Sequence, residues 1–162
     1  FLGSYHYIGD LSFDNLELVH FFNEKEVNKF YKDYFYLVSR AAKSGLFDVI
    51  SHFDLINKSG YSLNNGYFEV AEKTLETIKS CDVVLEINTA GLRKERKEFY
   101  PSVRILKKAI SLGIPLIIGS DAHSPEEVGE GFDKVIDFLK NNNVLYLVSF
   151  DKRKRVLYKI FE

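Results

Sequence analysis

The 162 residues contain no methionine and one cysteine, and no apolar run in them approaches the roughly 20 residues that cross a bilayer. A lone Cys81 excludes an internal disulfide and fits a reducing compartment, where it is expected to pack as a small hydrophobe. The amino-terminal residues also lack the charged-then-apolar order of a secretory signal. A soluble, cytoplasmic protein with no membrane partner is expected. With no methionine and an opening Phe1-Leu2-Gly3-Ser4 that reads as mid-strand, the sequence is expected to follow an upstream segment. An excess of charge of either sign is lacking as well, since 22 Lys and Arg face 23 Asp and Glu for a formal net charge of -1. That balance leaves no electrostatic footprint for nucleic acid. The densest basic cluster, Lys152-Arg153-Lys154-Arg155, reads as a solvated turn between two terminal strands, Val144–Phe150 and Val156–Phe161.

What is present is apolar: hydrophobic residues make up 46% of the chain and aromatic residues 15%, enough for one globular domain with its own core. Disorder and fibrous classes are excluded. Asn23 and Glu26 form a candidate capping box for a helix from about Asn23 to Ser44, with Gly45 as its C-cap. Val27, Phe30, Tyr31, Tyr34, Leu37, Val38 and Ala41 recur at helical spacing, the stripe of a helix that buries one face. A strand then runs to His52, followed by a loop at Asn57–Gly66 and a helix over about Tyr67–Ser80. Next come a strand at Val83–Asn88, a polar loop at Thr89–Tyr100, a helix near Ser102–Leu112 stopped by Gly113, and a strand at Ile114–Ile118. Ser124-Pro125-Glu126-Glu127 reads as a further helix start. This alternation predicts an α/β fold with parallel pairing and an outer layer of helices. About four strand-helix units are present, against about eight strands in a closed barrel, so raw edges are expected unless another segment covers them.

The chemistry sits at strand ends. In GSDAH, residues 119–123, Asp121 and His123 lie two apart just beyond an apolar strand, where both side chains can converge on neighbouring ions. A carboxylate with an imidazole suits Zn, Mn or Fe. His6 and His52 each close or interrupt another β-prone run, and side chains at the carboxyl ends of parallel strands gather at one face. Three strand-end sites are therefore expected to converge. Arg93 follows a strand end on the same face; its guanidinium either offers a bidentate fork to phosphate or belongs to a charged surface loop with Lys94 and Arg96. Lys58 is a second candidate cation. Glu86 and Asn88 share one face of their strand, which either lines the site or satisfies neighbouring backbone groups. Asp54 either orients the His52 imidazole or caps the following turn. His20, in an apolar context, reads as structural.

Several of these segments together resemble one family, the polymerase and histidinol phosphatase (PHP) superfamily, in its histidinol-phosphatase branch. The likeness is carried by GSYHYI, by LVSRAAKSGLFDVISHFDLI around His52, by LEINTAGLRK at 85–94 with YPS at 100–102, and by GIPLIIGSDAH followed by EEVGEGF. The resemblance implies a distorted (β/α)7 TIM-like barrel holding three divalent ions at the carboxyl ends of its strands, of which residues 1–162 would be the carboxyl-terminal portion. By position it makes His6 and His52 ligands of one ion, Asp121 of a second and His123 of the third. With that resemblance phosphate binding is the favoured role for Arg93, and Asp121, His123 and Arg93 are expected at the reacting centre; from their positions alone, Lys58 is a second candidate for the phosphate and Asn88 is expected near the substrate. The family's amino-terminal His-x-His, further histidines and bridging Glu have no counterpart here. The implied activity is conversion of L-histidinol phosphate to L-histidinol and phosphate in histidine biosynthesis. Alternatives are a phosphoesterase acting on another small phosphate or a nucleic-acid end, and a noncatalytic half-barrel that needs its amino-terminal partner. By itself the chain is expected to be inactive.

Overall fold

A computed structural model describes residues 1–12, 23–59, 65–95 and 97–161. Four strands, β1 (Leu2–Gly3), β4 (Val49–Ile50), β5 (Val84–Asn88) and β6 (Leu116–Gly119), form one parallel sheet in the order β1-β4-β5-β6. Helices separate them: α1 (Glu24–Lys43) precedes β4, α2 (Asn65–Ser80) precedes β5, α3 (Val103–Ser111) precedes β6, and α4 (Phe132–Asn141) follows. Two antiparallel hairpins complete the fold, β2 (Tyr7–Ile8) with β3 (Leu11–Ser12) and β7 (Tyr146–Asp151) with β8 (Lys154–Lys159). The expected α/β alternation with parallel pairing is present.

Alternation along the strands gives the sheet two unlike faces. Ile50, Leu85, Ile87 and Leu116 join the main core built by the helices. On the other face Val49 pairs with Val84, and with Val148 of β7 they make a small second cluster. Further along that second face the residues turn polar: Glu86 and Asn88 follow Val84, in register with Ile117 and Gly119 of β6. The face is thus apolar toward the amino ends of the strands and polar toward their carboxyl ends, where the loops carrying the candidate residues begin.

The first helix forms as its sequence requires. Asn23 Oδ1 accepts from the Glu26 amide at 3.1 Å while Glu26 Oε2 accepts from the Asn23 amide at 2.8 Å, the reciprocal capping box. Its buried stripe includes Phe35, fully enclosed, whereas Leu37 is half-buried. Gly45 follows the helix at a φ of +70°, a left-handed conformation that glycine adopts at little steric cost. Residues 125–127 are not the start of a long helix. They form one 3-10 turn, and α4 begins only at Phe132, because Gly129 and Gly131 both take positive φ and interrupt the helical path. Part of the expected loop at Asn57–Gly66 is helical too: a 3-10 turn spans Leu55–Ser59 and α2 begins at Asn65. His20 and Arg96 lie outside the described residues.

The terminal hairpin turns through Lys152 and Arg153, both at positive φ, as a tight hairpin turn requires. The basic cluster is not simply solvated. Arg153 donates to both Asp48 oxygens at 3.1 Å, and Arg155 donates to Asp82 at 2.9 Å, tying the hairpin to residues just before β4 and β5. The Arg153 fork, with the amino terminus, holds the Asp48 carboxyl below the usual carboxylate range. Cys81 is half-buried and packs against the main core. Among the described residues no helix is long and apolar enough to cross a membrane.

Candidate metal and phosphate site

At the carboxyl ends of the parallel strands an open cavity of about 270 Å³ is lined by His6, His52, Arg93, Asp121, His123 and Glu127, with Leu55, Ala90, Lys94 and Tyr100. His6 follows β1, His52 follows β4 and Asp121 follows β6, so the three strand-end sites meet as their positions in an α/β alternation predict. The His6 and His52 rings stand edge to face, centroids 4.9 Å apart. His52 and Asp121 both hold left-handed backbone, at φ 28° and 48°. Such strain in residues other than glycine is uncommon and concentrates at functional sites.

His52 is buried, and its Nδ1 has no hydrogen-bond partner among the described residues. Burial lowers its pKa, opposed by the charges of Glu86 and Asp121. A neutral ring with an unused nitrogen, close to His6 and Asp121, is what a divalent ion needs. His123 is prepared differently. Its Nδ1 lies 2.9 Å from the Asp121 carbonyl, which can only accept, so Nδ1 carries the proton and Nε2 is left as the lone-pair nitrogen. The fit to a metal is real but incomplete, since among the described residues no three His, Cys, Asp or Glu side chains are grouped to enclose an ion.

Arg93 ends the 3-10 turn Thr89–Arg93 that follows β5. One of its nitrogens, Nη2, donates to the Ser120 and Asp121 carbonyls at 2.9 and 3.0 Å and lies 3.2 Å from Glu127. The other, Nη1, is buried and 3.6 Å from Glu130, outside hydrogen-bond reach. Arg93 therefore braces the loop that carries Asp121 while lining the cavity. Glu127, part of the 124–127 helix signal and of the EEVGEGF segment but not among the expected site residues, also accepts from the His123 amide at 2.8 Å. Its place four residues after His123 was the one local signal.

Asn88 does not line the cavity. It is fully buried, its Oδ1 accepting from the Ala90 amide at 2.9 Å and its Nδ2 donating to Glu86 at 3.1 Å and to Asp121 at 3.4 Å. Of the two readings of the Glu86–Asn88 face, satisfaction of neighbouring groups is the one observed. The Lys58 side chain lies outside the described residues.

Neither expected role of Asp54 is observed. Its Oδ2 accepts from the Tyr67 hydroxyl and the Ser102 amide, both at 2.9 Å, joining α2 to the start of α3. Full burial raises its pKa to about 6, against the lowering effect of those hydrogen bonds. A folded-state value above the unfolded 3.8 means that Asp54 favours the folded state fully below about pH 4 and that this contribution is lost as pH rises through about 6. The shift corresponds to about 3 kcal/mol. Asp54→Asn removes that titration: in urea unfolding of the complete protein, the stability of the variant relative to native is expected to improve by up to about that amount between pH 4 and 7. A difference that stays constant across this range would show that Asp54 does not titrate there.

A profile of the family described as PHP-associated (PHP_C) matches residues 104–142. A protein of Deinococcus radiodurans named "Probable histidinol-phosphatase" is 39% identical over 140 residues, 86% of this chain and 53% of that protein. One of the same name from Thermotoga maritima is 34% identical over 118 residues, covering 70% of this chain and 48% of the relative. The crystal structure of a Listeria monocytogenes protein, provisionally named a histidinol phosphatase, matches with a TM-score of 0.71 and 26% identity over 82% of this chain and 56% of that one. The chain spans about half the length of these two curated relatives.

Proposed function

Since this chain belongs to the polymerase and histidinol phosphatase (PHP) superfamily, in its histidinol-phosphatase branch, we propose that the protein hydrolyses L-histidinol phosphate to L-histidinol and phosphate in cytoplasmic histidine biosynthesis, using bound divalent metal. The observation that carries this reading is the meeting of His6, His52, Asp121 and His123 in one cavity, with a buried, unpartnered nitrogen on His52. Residues 1–162 are read as the carboxyl-terminal portion of a (β/α)7 barrel whose other portion supplies the remaining ligands.

His52 and the adjacent His6 would hold one ion, Asp121 a second, and His123, through Nε2, a third, with Zn, Mn and Fe as candidates for this donor set. Bound divalent metal supplies an activated water at neutral pH and offsets charge on the phosphoryl oxygens. Hydrolysis joins the water oxygen to phosphorus, breaks the ester P–O bond and leaves a proton on the departing alcohol. Arg93 braces the Asp121 loop through two carbonyls and lends its positive charge to a phosphoryl group in the cavity it lines. Lys58 is proposed as a further cation for that group. Asn88 supports Asp121 from below rather than touching substrate. A small phosphate suits a chain of formal net charge -1 better than nucleic acid does.

The half-barrel reading has its own support, because no three donor side chains of the described residues enclose an ion. With at most two protein ligands per ion the metal would bind weakly, so the isolated 162 residues should release no phosphate. The complete protein with Mn²⁺ should release phosphate from L-histidinol phosphate, lose that activity after dialysis against a chelator, and recover it when metal is restored. Full activity after chelation would overturn the metal dependence; no activity with metal present would overturn the substrate; turnover by the isolated residues would overturn the half-barrel reading.

A further inference from the structure

Glu86 lies beneath the cavity on β5, 5% exposed, and the site described above leaves it without a role. One of its oxygens, Oε2, gathers three donors: the Ser51 hydroxyl, the His52 amide at 3.0 Å and the Asn88 amide nitrogen at 3.1 Å. The His52 amide belongs to a residue in left-handed backbone, so this charge-assisted bond holds a strained conformation at the end of β4. Asn88 carries the connection onward. Its second amide hydrogen reaches Asp121 Oδ2 at 3.4 Å, and its oxygen accepts from the Ala90 amide in the turn that ends at Arg93. From one buried carboxylate, then, bonds run to the ends of β4 and β6 and to the turn after β5.

We propose that Glu86 is a positioning residue: it touches no ion, but it sets the separation of His52 and Asp121, and so the affinity of the cavity for divalent metal. This rests on the metal-binding reading of the cavity. A buried carboxylate could instead act through its charge alone, and two conservative variants separate the possibilities. Glu86→Gln loses the charge but keeps an oxygen within reach of all three donors. Glu86→Asp keeps the charge but withdraws the oxygen by one methylene.

The test is Mn²⁺ affinity of the complete protein, measured by competition with a chromophoric chelator, for both variants beside His52→Ala and Asp121→Asn. Positioning predicts that Glu86→Asp weakens binding by about 10- to 100-fold, the usual cost of losing a partner that orients a ligand, and that Glu86→Gln stays close to native. The reverse order would overturn the proposal in favour of charge, and native affinity in both variants would overturn it outright. If His52→Ala and Asp121→Asn also bind as native does, the metal-binding reading itself falls; if they weaken binding while Glu86→Asp does not, only the role of Glu86 falls.

Discussion

Asp121→Asn in the complete protein is expected to lower phosphate release from L-histidinol phosphate by more than about 100-fold, the upper end of the loss seen when only an outer partner of a metal ligand is removed. The substitution is close to isosteric, and Asn tolerates the left-handed backbone at φ 48° as readily as Asp does, so the loop should keep its shape. Arg93 grips this loop through main-chain carbonyls, which the change leaves intact. What is lost is the negative charge that a hard divalent ion selects. Comparing turnover with the melting temperature of the metal-free protein separates chemistry from folding. A variant with native melting and less than a tenfold loss of turnover would remove Asp121 from the proposed ligand set.

Gly119→Ala should be damaging too, although residue 119 touches neither metal nor substrate in the proposed mechanism. A Cβ there would lie 2.0 Å from Glu86 Oε1 and 2.9 Å from its Cδ. Relief requires Glu86 to move, yet its other oxygen is held by three donors, among them the His52 amide. Either the carboxylate shifts and releases His52, or β6 shifts and carries Asp121 with it. Overpacking of this kind costs about 1–3 kcal/mol, and turnover should fall by at least about tenfold with it, given the sensitivity of ligand geometry to its supporting shell. The double variant Gly119→Ala with Glu86→Asp tests the cause. A shorter acid leaves room for the methyl group, so the two losses of stability should sum to more than the double variant shows. Strict additivity in thermal unfolding would mean that the clash lies elsewhere.

These effects meet in a sheet whose strands have two ends with different duties. At the amino ends, Arg153 and Arg155 fasten the terminal hairpin to Asp48 and Asp82. At the carboxyl ends, Glu86, Asn88 and Gly119 carry the loops of the cavity. Confining the ligand-type residues to one end leaves the other free to be a structural clamp, and allows changes in the hairpin to affect stability without altering the cavity.

The residue pattern alone determined what depends on near neighbours. Helical spacing and a capping box specified α1, alternation in Val84–Asn88 put Glu86 and Asn88 on one face, and apolar runs ending in His52 and GSDAH located the strand ends. Because parallel strands place their carboxyl ends together, the convergence of His6, His52 and Asp121 is legible in the residue pattern itself. Tertiary structure decided the partners. Asp54 lies 48 residues from Ser102 and Arg93 28 from Asp121, and no local pattern records which amide or carbonyl arrives at that distance. The same holds for α4: glycines at 129 and 131 delayed it through backbone conformations that the proline-led signal at 124–127 did not reveal. Short-range spacing fixes which residues a strand or helix presents; burial and long-range packing fix what each of them touches, and hence whether a charged side chain faces the cavity or holds up its floor.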